Sequence, residues 1–127
     1  MSNNILIVDD SDIVRSLHSY ILEGAGFRCT GAENGFTALE IMLREPFDLI
    51  ITDINMPRMD GYELTRKIRQ TEGYSQVPII IISTEEEAKD KMKGMEAGAN
   101  VYIVKPAQPE SLITNVKMLL AQREEGI

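Results

Sequence analysis

The chain has 127 residues, 43% of them hydrophobic and 26% charged, which allows one domain with its own core and leaves no room for a second. Its 20 acidic and 13 basic residues give a net charge of −7, which argues against nucleic acid as a partner because phosphates would be repelled. A single cysteine excludes a disulfide within the chain, and the sequence contains neither a secretory signal pattern nor an apolar run of membrane-spanning length. These features predict a soluble cytoplasmic domain that contacts neither membrane nor nucleic acid.

Five short segments predict β-strands. Four of them are continuous apolar runs rich in β-branched residues, and this uninterrupted character indicates burial on both faces, as in a parallel sheet. The remaining segment is interrupted by polar residues, which is typical of an edge strand. In chain order the segments are residues 5–8, 27–32 (the interrupted one), 49–51, 79–82 and 101–104.

Each predicted strand is followed by a stretch with apolar residues at helical spacing. Asp60 with Glu63 three residues later has the spacing of a capping box, which opens the third helix, and Pro109 suits the first turn of the fifth. In chain order the apolar positions are Ile13, Leu17 and Ile21 with Val14; Leu39, Met42 and Leu43; Leu64 and Ile68; Met92, Met95 and Ala99; and Leu112, Ile113, Val116, Leu119 and Leu120. Five β-α repeats with right-handed crossovers predict an α/β fold with helices on both faces of one parallel sheet.

Several other side chains in the predicted helices have simple structural interpretations. His18 lies beside the apolar stripe of the first helix and is expected at the surface. The basic residues at 66, 67 and 69 are typical of a solvated helix face, whereas Met92 and Met95 are expected to pack in the core.

Polar side chains follow four of the predicted strands directly, at the ends where open α/β sheets bind ligands. One such residue alone is most often merely solvated, but four strand ends with functional groups at equivalent positions indicate a shared site. The residues are Asp9 and Asp10 after the first strand, Asp53 after the third, Ser83 and Thr84 after the fourth, and Lys105 after the fifth.

Three carboxylates at one edge of a sheet need a compensating positive charge. Two carboxylates about 5 Å apart repel by about 3 kcal/mol at an effective dielectric constant of 20. A hard divalent cation is the natural partner, and without His or Cys among these residues Mg²⁺ is favoured over Zn²⁺. Because Mg²⁺ often holds phosphoryl oxygens as well, we expect a phosphoryl ligand, with Lys105 as a second positive charge.

Four motifs occur together in an order and spacing that is specific for one family. They are Ile7-Val8-Asp9-Asp10-Ser11 and the segments 53–61, 78–83 and 98–106. They resemble the receiver domain of bacterial two-component response regulators, in particular the single-domain chemotaxis (CheY-like) type, over essentially the whole chain. The resemblance implies a flavodoxin-like (βα)5 fold with strand order 2-1-3-4-5. It also implies one receiver domain over residues 1–127 without an effector or DNA-binding domain.

The resemblance implies that Asp53 is the phosphoacceptor. Its carboxylate would attack the phosphohistidine of a partner histidine kinase and form an acyl phosphate. Asp10, Asp53 and the backbone carbonyl of Asn55 would ligate Mg²⁺, which Mn²⁺ can replace, and Asp9 would act through a metal-bound water. A protein of this kind is a signalling phosphoacceptor and not an enzyme, since it assists only its own phosphorylation and dephosphorylation.

The same resemblance assigns the switch. Lys105 would pair with the phosphoryl oxygens, Ser83 would donate its hydroxyl to them, and Tyr102 would turn inward in response. Thr84 departs from the family pattern, which has Ala or Gly after the switch hydroxyl. Thr84 is either the alternative switch hydroxyl or, with Glu87, a capping box for the fourth helix, and the cap is the favoured interpretation.

Asn55 and Glu85 occupy positions that tune the lifetime of the acyl phosphate in this family. Asn and Glu there match the chemotaxis type, and we expect the phosphorylated form to live for seconds to minutes.

The leading functional hypothesis is a stand-alone, monomeric response regulator whose phosphorylation controls protein binding. Its target, which in chemotaxis would be the flagellar motor switch, is expected on the face of the fourth helix, fifth strand and fifth helix. An alternative is a phosphorelay intermediate that passes its phosphoryl group to a histidine phosphotransfer protein. A Mg²⁺-dependent phosphohydrolase with an Asp nucleophile is disfavoured, because such enzymes carry a second Asp two residues after the nucleophile, where Asn55 follows Asp53.

Overall fold

A computed structural model describes residues 3–125 as five strands that alternate with five helices. The elements are β1 (Asn4–Val8), α1 (Asp12–Gly24), β2 (Arg28–Ala32), α2 (Gly35–Arg44), β3 (Leu49–Thr52), α3 (Gly61–Arg69), β4 (Ile79–Ser83), α4 (Ala88–Ala97), β5 (Val101–Val104) and α5 (Pro109–Glu125). Among the described residues, the helices all lack the combination of length and apolarity needed to cross a bilayer.

The strands form one parallel sheet in the order β2-β1-β3-β4-β5, which confirms the predicted fold and the edge position of the second strand. The central strands are buried on both faces because helices cover both sides of the sheet. Successive strand residues alternate between the two cores: Leu6 packs with residues of α2 and α3, and Ile7 packs with residues of α1 and α5. The apolar stripe predicted for α5 lies in this second core.

Three helices begin directly after a residue whose side chain caps them. Ser11 accepts the amide of Val14 at the start of α1, and Asn34 accepts the amide of Thr37 at the start of α2. At α3 the predicted cap is confirmed, since Asp60 Oδ1 accepts the amide of Glu63 at 2.8 Å. Pro109 is the first residue of α5, as its fixed φ suggested.

The apolar stripe predicted for α1 is wrong in part, because Ile21 packs against the core whereas Ile13 and Leu17 do not. Ile13 and Leu17 are 81% and 53% exposed, and the buried residues of the helix are His18 and Leu22. The expectation that His18 is a surface residue is therefore also wrong. Burial lowers the pKa of His18, the positive charge of Lys105 lowers it further, and Asp9 opposes this effect.

Helix α4 also presents a different face from the one expected. Met92 and Met95 are 62% and 49% exposed, so their predicted core role is wrong. The buried residues of this helix are Gly94 and Ala97 instead, and Gly94 lies against the sheet. A Cβ on Gly94 would lie 3.0 Å from Cδ1 of Ile81 and 3.1 Å from Cδ2 of Tyr102.

Arg69 is a half-buried clamp and not part of a solvated helix face. Its guanidinium donates to the carbonyls of Gly98 at 2.7 Å and Val77 at 2.5 Å and to Oδ1 of Asn100 at 2.9 Å. It thereby ties the end of α3 to the segments before β4 and β5. Arg66 and Lys67 are exposed, as predicted.

Candidate functional site

Three carboxylates converge at one edge of the sheet. Asp9 and Asp10 follow β1, Asp53 follows β3, and these two neighbouring strands are parallel with Val8 opposite Thr52. Their strand ends therefore coincide, and one carboxylate oxygen from each aspartate lies within 4.8 Å of the others. Asp9 and Asp53 are buried and Asp10 is exposed, so the cluster opens to solvent on one side.

Lys105 brings a positive charge to these carboxylates from the end of β5. Its Nζ lies 3.0 Å from Oδ2 of Asp9 and 3.5 Å from Oδ1 of Asp53. Burial raises the pKa of Asp53, and this effect is larger than the lowering by Lys105, while Asp9 raises the pKa further. A second positive charge at this edge would favour the ionised form of Asp53.

The donor set suits a hard divalent cation. Proteins usually supply only part of the coordination shell of Mg²⁺, and water or substrate completes it. The three carboxylates offer enough oxygen ligands for the protein's part. Within residues 3–125 the cluster contains neither His nor Cys, the ligands that would favour Zn²⁺.

Gly61 allows α3 to begin against Asp53. Its amide donates to the carbonyl of Ile54 at 2.9 Å, and a Cβ at this position would lie 2.1 Å from the backbone oxygen of Asp53. Any side chain at position 61 would push the two backbone segments apart. The motif quoted from the sequence contains this glycine, but the close approach that requires it is visible only in the fold.

Glu85 connects the side chains that the sequence placed around the carboxylates. Ser83 is fully buried, and its Oγ accepts the amide of Glu85 at 3.2 Å. The Tyr102 hydroxyl donates to the carbonyl of Glu85 at 2.6 Å, and Nδ2 of Asn55 donates to its Oε1 at 3.0 Å. Residues from β4, from β5 and from the loop after β3 thus meet on one residue of the loop before α4.

The predicted capping role of Thr84 is wrong. Helix α4 begins at Ala88 with Glu87 as the residue before it, and in the described structure no side chain caps this end. Thr84 is exposed and lines a groove with Leu17, His18 and Lys105. The cap does not form because the hydrogen bonds of Glu85 hold the loop in another conformation.

Tyr62 is a residue of this region that sequence reasoning missed. It lies buried in the first turn of α3, and its hydroxyl donates to the carbonyl of Asp90 in α4 at 3.2 Å. Nζ of Lys93 lies 4.6 Å from the centre of its ring. Burial and the neighbouring Tyr102 raise the pKa of Tyr62 to about 12. An aromatic residue directly after Gly61 was the available signal.

Comparison with known proteins identifies the family. Residues 5–117 match the family described as the response regulator receiver domain, and the chain belongs to this family. It is therefore a receiver domain of a two-component system, a class of signalling phosphoacceptors that typically bind Mg²⁺ and receive their phosphoryl group from a histidine kinase.

Relatives of known name or structure agree with this assignment. The chain is 38% identical over 124 residues to the transcriptional regulatory protein SrrA of Staphylococcus aureus, a match that covers 98% of the chain and 50% of SrrA. The chain thus spans about half the length of the curated relatives it matches. The chemotaxis protein CheY4 of Vibrio cholerae is 34% identical, with a TM-score of 0.89 over 94% of this chain and 99% of CheY4. A CheY-like receiver domain protein of Methanospirillum hungatei is 28% identical, with a TM-score of 0.93 over the whole of both chains.

Proposed function

We propose that Asp53 is the phosphoacceptor of this receiver domain. An oxygen of its carboxylate attacks the phosphorus of a kinase phosphohistidine, the P–N bond breaks, and an acyl phosphate forms on Asp53. The observation that carries this proposal is the convergence of Asp9, Asp10, Asp53 and Lys105 from three strand ends. A carboxylate is a weak nucleophile, so the gain in rate must come from positioning and charge neutralisation, which this arrangement supplies.

Asp10, Asp53 and the backbone carbonyl of Asn55 would hold Mg²⁺ or Mn²⁺, with Asp9 contributing through a water molecule. When bound, the cation neutralises part of the charge of the phosphoryl group. Lys105 now pairs with Asp9 and Asp53, and it would transfer one of these contacts to a phosphoryl oxygen.

Ser83 and Tyr102 would carry the signal away from Asp53. The Ser83 hydroxyl donates to the phosphoryl group, and Tyr102 occupies its inward position on the carbonyl of Glu85. The new group brings about two negative charges, and it shifts the population toward the state that has these contacts.

The target protein would bind the α4–β5–α5 face, where Met92, Met95 and Met118 are exposed. The likeness to CheY4 supports chemotaxis as the pathway, with the flagellar motor switch as the target.

The kinase would dock on the apolar face of α1. Ile13, Leu17 and Tyr20 are exposed at helical spacing, and Leu17 lines the groove that reaches Lys105. A phosphohistidine on a helix packed there would lie beside the carboxylate cluster. The exposure of these apolar residues therefore supports α1 as the surface that binds the phosphodonor kinase.

The acceptor assignment is tested with acetyl phosphate and Mg²⁺, followed by mass spectrometry of the intact protein. We expect one added phosphoryl group in the wild type and none in Asp53→Asn. Asp48→Asn is a matched control, since Asp48 lies at the opposite end of β3 and should leave labelling unchanged. Labelling of Asp53→Asn would refute the acceptor role, and catalytic turnover of a phosphomonoester would favour a phosphohydrolase.

The paired side chains of Asn55 and Glu85 beside the acceptor support an acyl phosphate that lives for seconds to minutes. A phosphoprotein that remains intact overnight in Mg²⁺ would contradict this expectation. Onward transfer to a histidine phosphotransfer protein would identify a phosphorelay intermediate.

A further inference from the structure

Arg15 is a mostly buried cation next to the backbone of Asp9, and the proposed function does not use it. It lies in the first turn of α1, and only 18% of its side chain is exposed. Its Nη1 donates to the backbone carbonyl of Asp9 at 2.5 Å, and its Nη2 donates to the carboxylate of Asp12. Asp12 thus offsets the charge of the guanidinium, which would otherwise oppose a cation bound nearby.

The carbonyl that Arg15 binds belongs to the peptide between Asp9 and Asp10. A peptide unit is planar, so a fixed carbonyl also fixes the amide and the Cα atom of Asp10. The amide of Asp9 donates to the carbonyl of Ala32 at 3.1 Å, and its carboxylate accepts the amide of Ser11 at 2.9 Å, so Asp9 is held on both sides of this peptide. Asp10 is exposed, so packing does little to hold its carboxylate, whose position follows from the backbone.

Gly31 on the edge strand β2 leaves the space through which the Arg15 side chain reaches this carbonyl. A Cβ on Gly31 would lie 3.3 Å from Cδ of Arg15, which is tighter than ordinary van der Waals contact. The φ of Gly31 is not in the left-handed region, so its backbone conformation does not require glycine. Glycine inside a strand weakens it and often marks a close approach, and here the approaching group is Arg15.

We propose that Arg15 is a positioning residue for the divalent cation. Its side chain lies over Gly31 and fixes the peptide between Asp9 and Asp10, so that the carboxylate of Asp10 is in place before the cation binds. A preorganised ligand loses less conformational freedom on binding, and partners outside the coordination shell typically contribute about 10- to 100-fold to metal affinity. The effect on the cation rests on the metal role of Asp10 in the proposed function, whereas the fixing of the Asp10 backbone stands by itself.

The Mg²⁺ affinity of the unphosphorylated protein is measured by an NMR titration that follows amide shifts. Arg15→Met keeps most of the apolar stem and removes the guanidinium, and we expect its affinity for Mg²⁺ to fall about 10-fold. A positive charge that merely lies near the site would have the opposite effect, because its removal would strengthen cation binding. Unchanged or tighter binding by Arg15→Met would overturn the proposal.

Arg28→Met is the matched control for the change in charge. Arg28 is exposed and lies at the other end of β2, where its charge is screened from the carboxylates. Its Mg²⁺ affinity should stay within about 2-fold of the wild type. A loss as large as that of Arg15→Met would trace the effect to net charge and would also overturn the proposal.

Gly31→Val tests the route of the side chain with Arg15 in place. Valine suits a strand, and its side chain would displace Cδ of Arg15. We expect the Mg²⁺ affinity to fall at least about 3-fold, with no further loss when Gly31→Val is added to Arg15→Met. Additive losses, or an unchanged affinity of Gly31→Val, would refute the role of Gly31.

Backbone order in the metal-free protein separates the proposal from the function on which it rests. The amide order parameter of Asp10 should fall from about 0.85 toward about 0.6 in Arg15→Met and should stay high in Arg28→Met. If Arg15→Met loosens Asp10 while Asp10→Asn binds Mg²⁺ like the wild type, Arg15 fixes the backbone but the ligand role of Asp10 fails. If Asp10→Asn loses binding while Arg15→Met changes neither order nor affinity, the positioning role of Arg15 fails.

Discussion

Replacing Gly61 with alanine is expected to separate the start of α3 from Asp53. The new Cβ would lie 2.1 Å from the backbone oxygen of Asp53 and 2.9 Å from Cα of Ile54. Both neighbours are backbone atoms, so no flexible side chain can move aside. The two segments must part by about 1 Å to restore ordinary contact, which also breaks the 2.9 Å hydrogen bond from the Gly61 amide to the Ile54 carbonyl.

The expected loss of stability is the sum of the overpacking and of the broken hydrogen bond. Overpacking costs about 1–3 kcal/mol, and one backbone hydrogen bond contributes about 1 kcal/mol, so the free energy of unfolding should fall by about 3 kcal/mol. With a urea dependence of about 1.5 kcal/mol per molar, the unfolding midpoint moves down by about 2 M, which circular dichroism can follow.

Gly24→Ala is the matched control for this substitution. Gly24 ends α1, and a Cβ there meets no atom within 4 Å. Its urea midpoint should stay unchanged or rise, because alanine is the better helix former. A midpoint of Gly61→Ala within about 0.5 M of the wild type would show that the close approach to Asp53 does not constrain position 61.

Three further substitutions test other contacts. Arg69→Lys should lower the free energy of unfolding by about 2 kcal/mol in urea, because an ammonium cannot reproduce the fork that binds the carbonyl of Gly98; an unchanged midpoint would contradict this. The depressed pKa of His18 contributes stability above its ordinary value of 6.5, and this contribution is lost as the pH falls through that value. His18→Gln should therefore flatten the pH dependence of the thermal midpoint between pH 7 and 5, and an equally steep profile would exclude His18 as the cause. Leu17→Arg should slow phosphotransfer from the kinase at least about 10-fold and leave acetyl phosphate labelling unchanged, whereas equal slowing of both would argue against docking on α1.

The sheet and the carboxylate cluster could be predicted from the sequence because each depends on strongly patterned features. Buried parallel strands are continuous apolar runs, and the ends of neighbouring strands must lie together. Asp9, Asp53 and Lys105 therefore converge although they are distant in sequence. Ser83, which was predicted to follow the fourth strand directly, is the last residue of β4.

The orientation of two helices could not be predicted because apolar residues also occur on exposed faces. In α1 the apolar residues Ile13 and Leu17 are exposed, and a histidine occupies one of the two buried positions. In α4 the close approach to the sheet selects glycine and alanine for the inner face, so that the larger Met92 and Met95 face outward.

Two further differences arose from tertiary hydrogen bonds that local patterns do not encode. The capping box at Thr84 is a valid local signal, but Tyr102 binds the carbonyl of Glu85, which a helix beginning at that residue would use in its own first turn. Arg69 resembles its exposed neighbours in sequence, yet the fold places unpaired carbonyls from distant segments around it.

The clamp formed by Arg69 makes α4 unequal at its two ends. The guanidinium fixes the carbonyl of Gly98 at the C-terminal end, whereas the N-terminal end is held by single hydroxyl groups. A helix of 10 residues is about 15 Å long, so a movement of about 2 Å at its free end corresponds to a rotation of about 8° around the clamp. A change beside Glu85 would therefore be expected to tilt the surface that carries Met92 and Met95, with the largest displacement at Met92 and the smallest near Gly98. In engineered receiver domains, substitutions near the N-terminal end of α4 would change how strongly the target surface responds. Substitutions at the Arg69 clamp would change thermal stability.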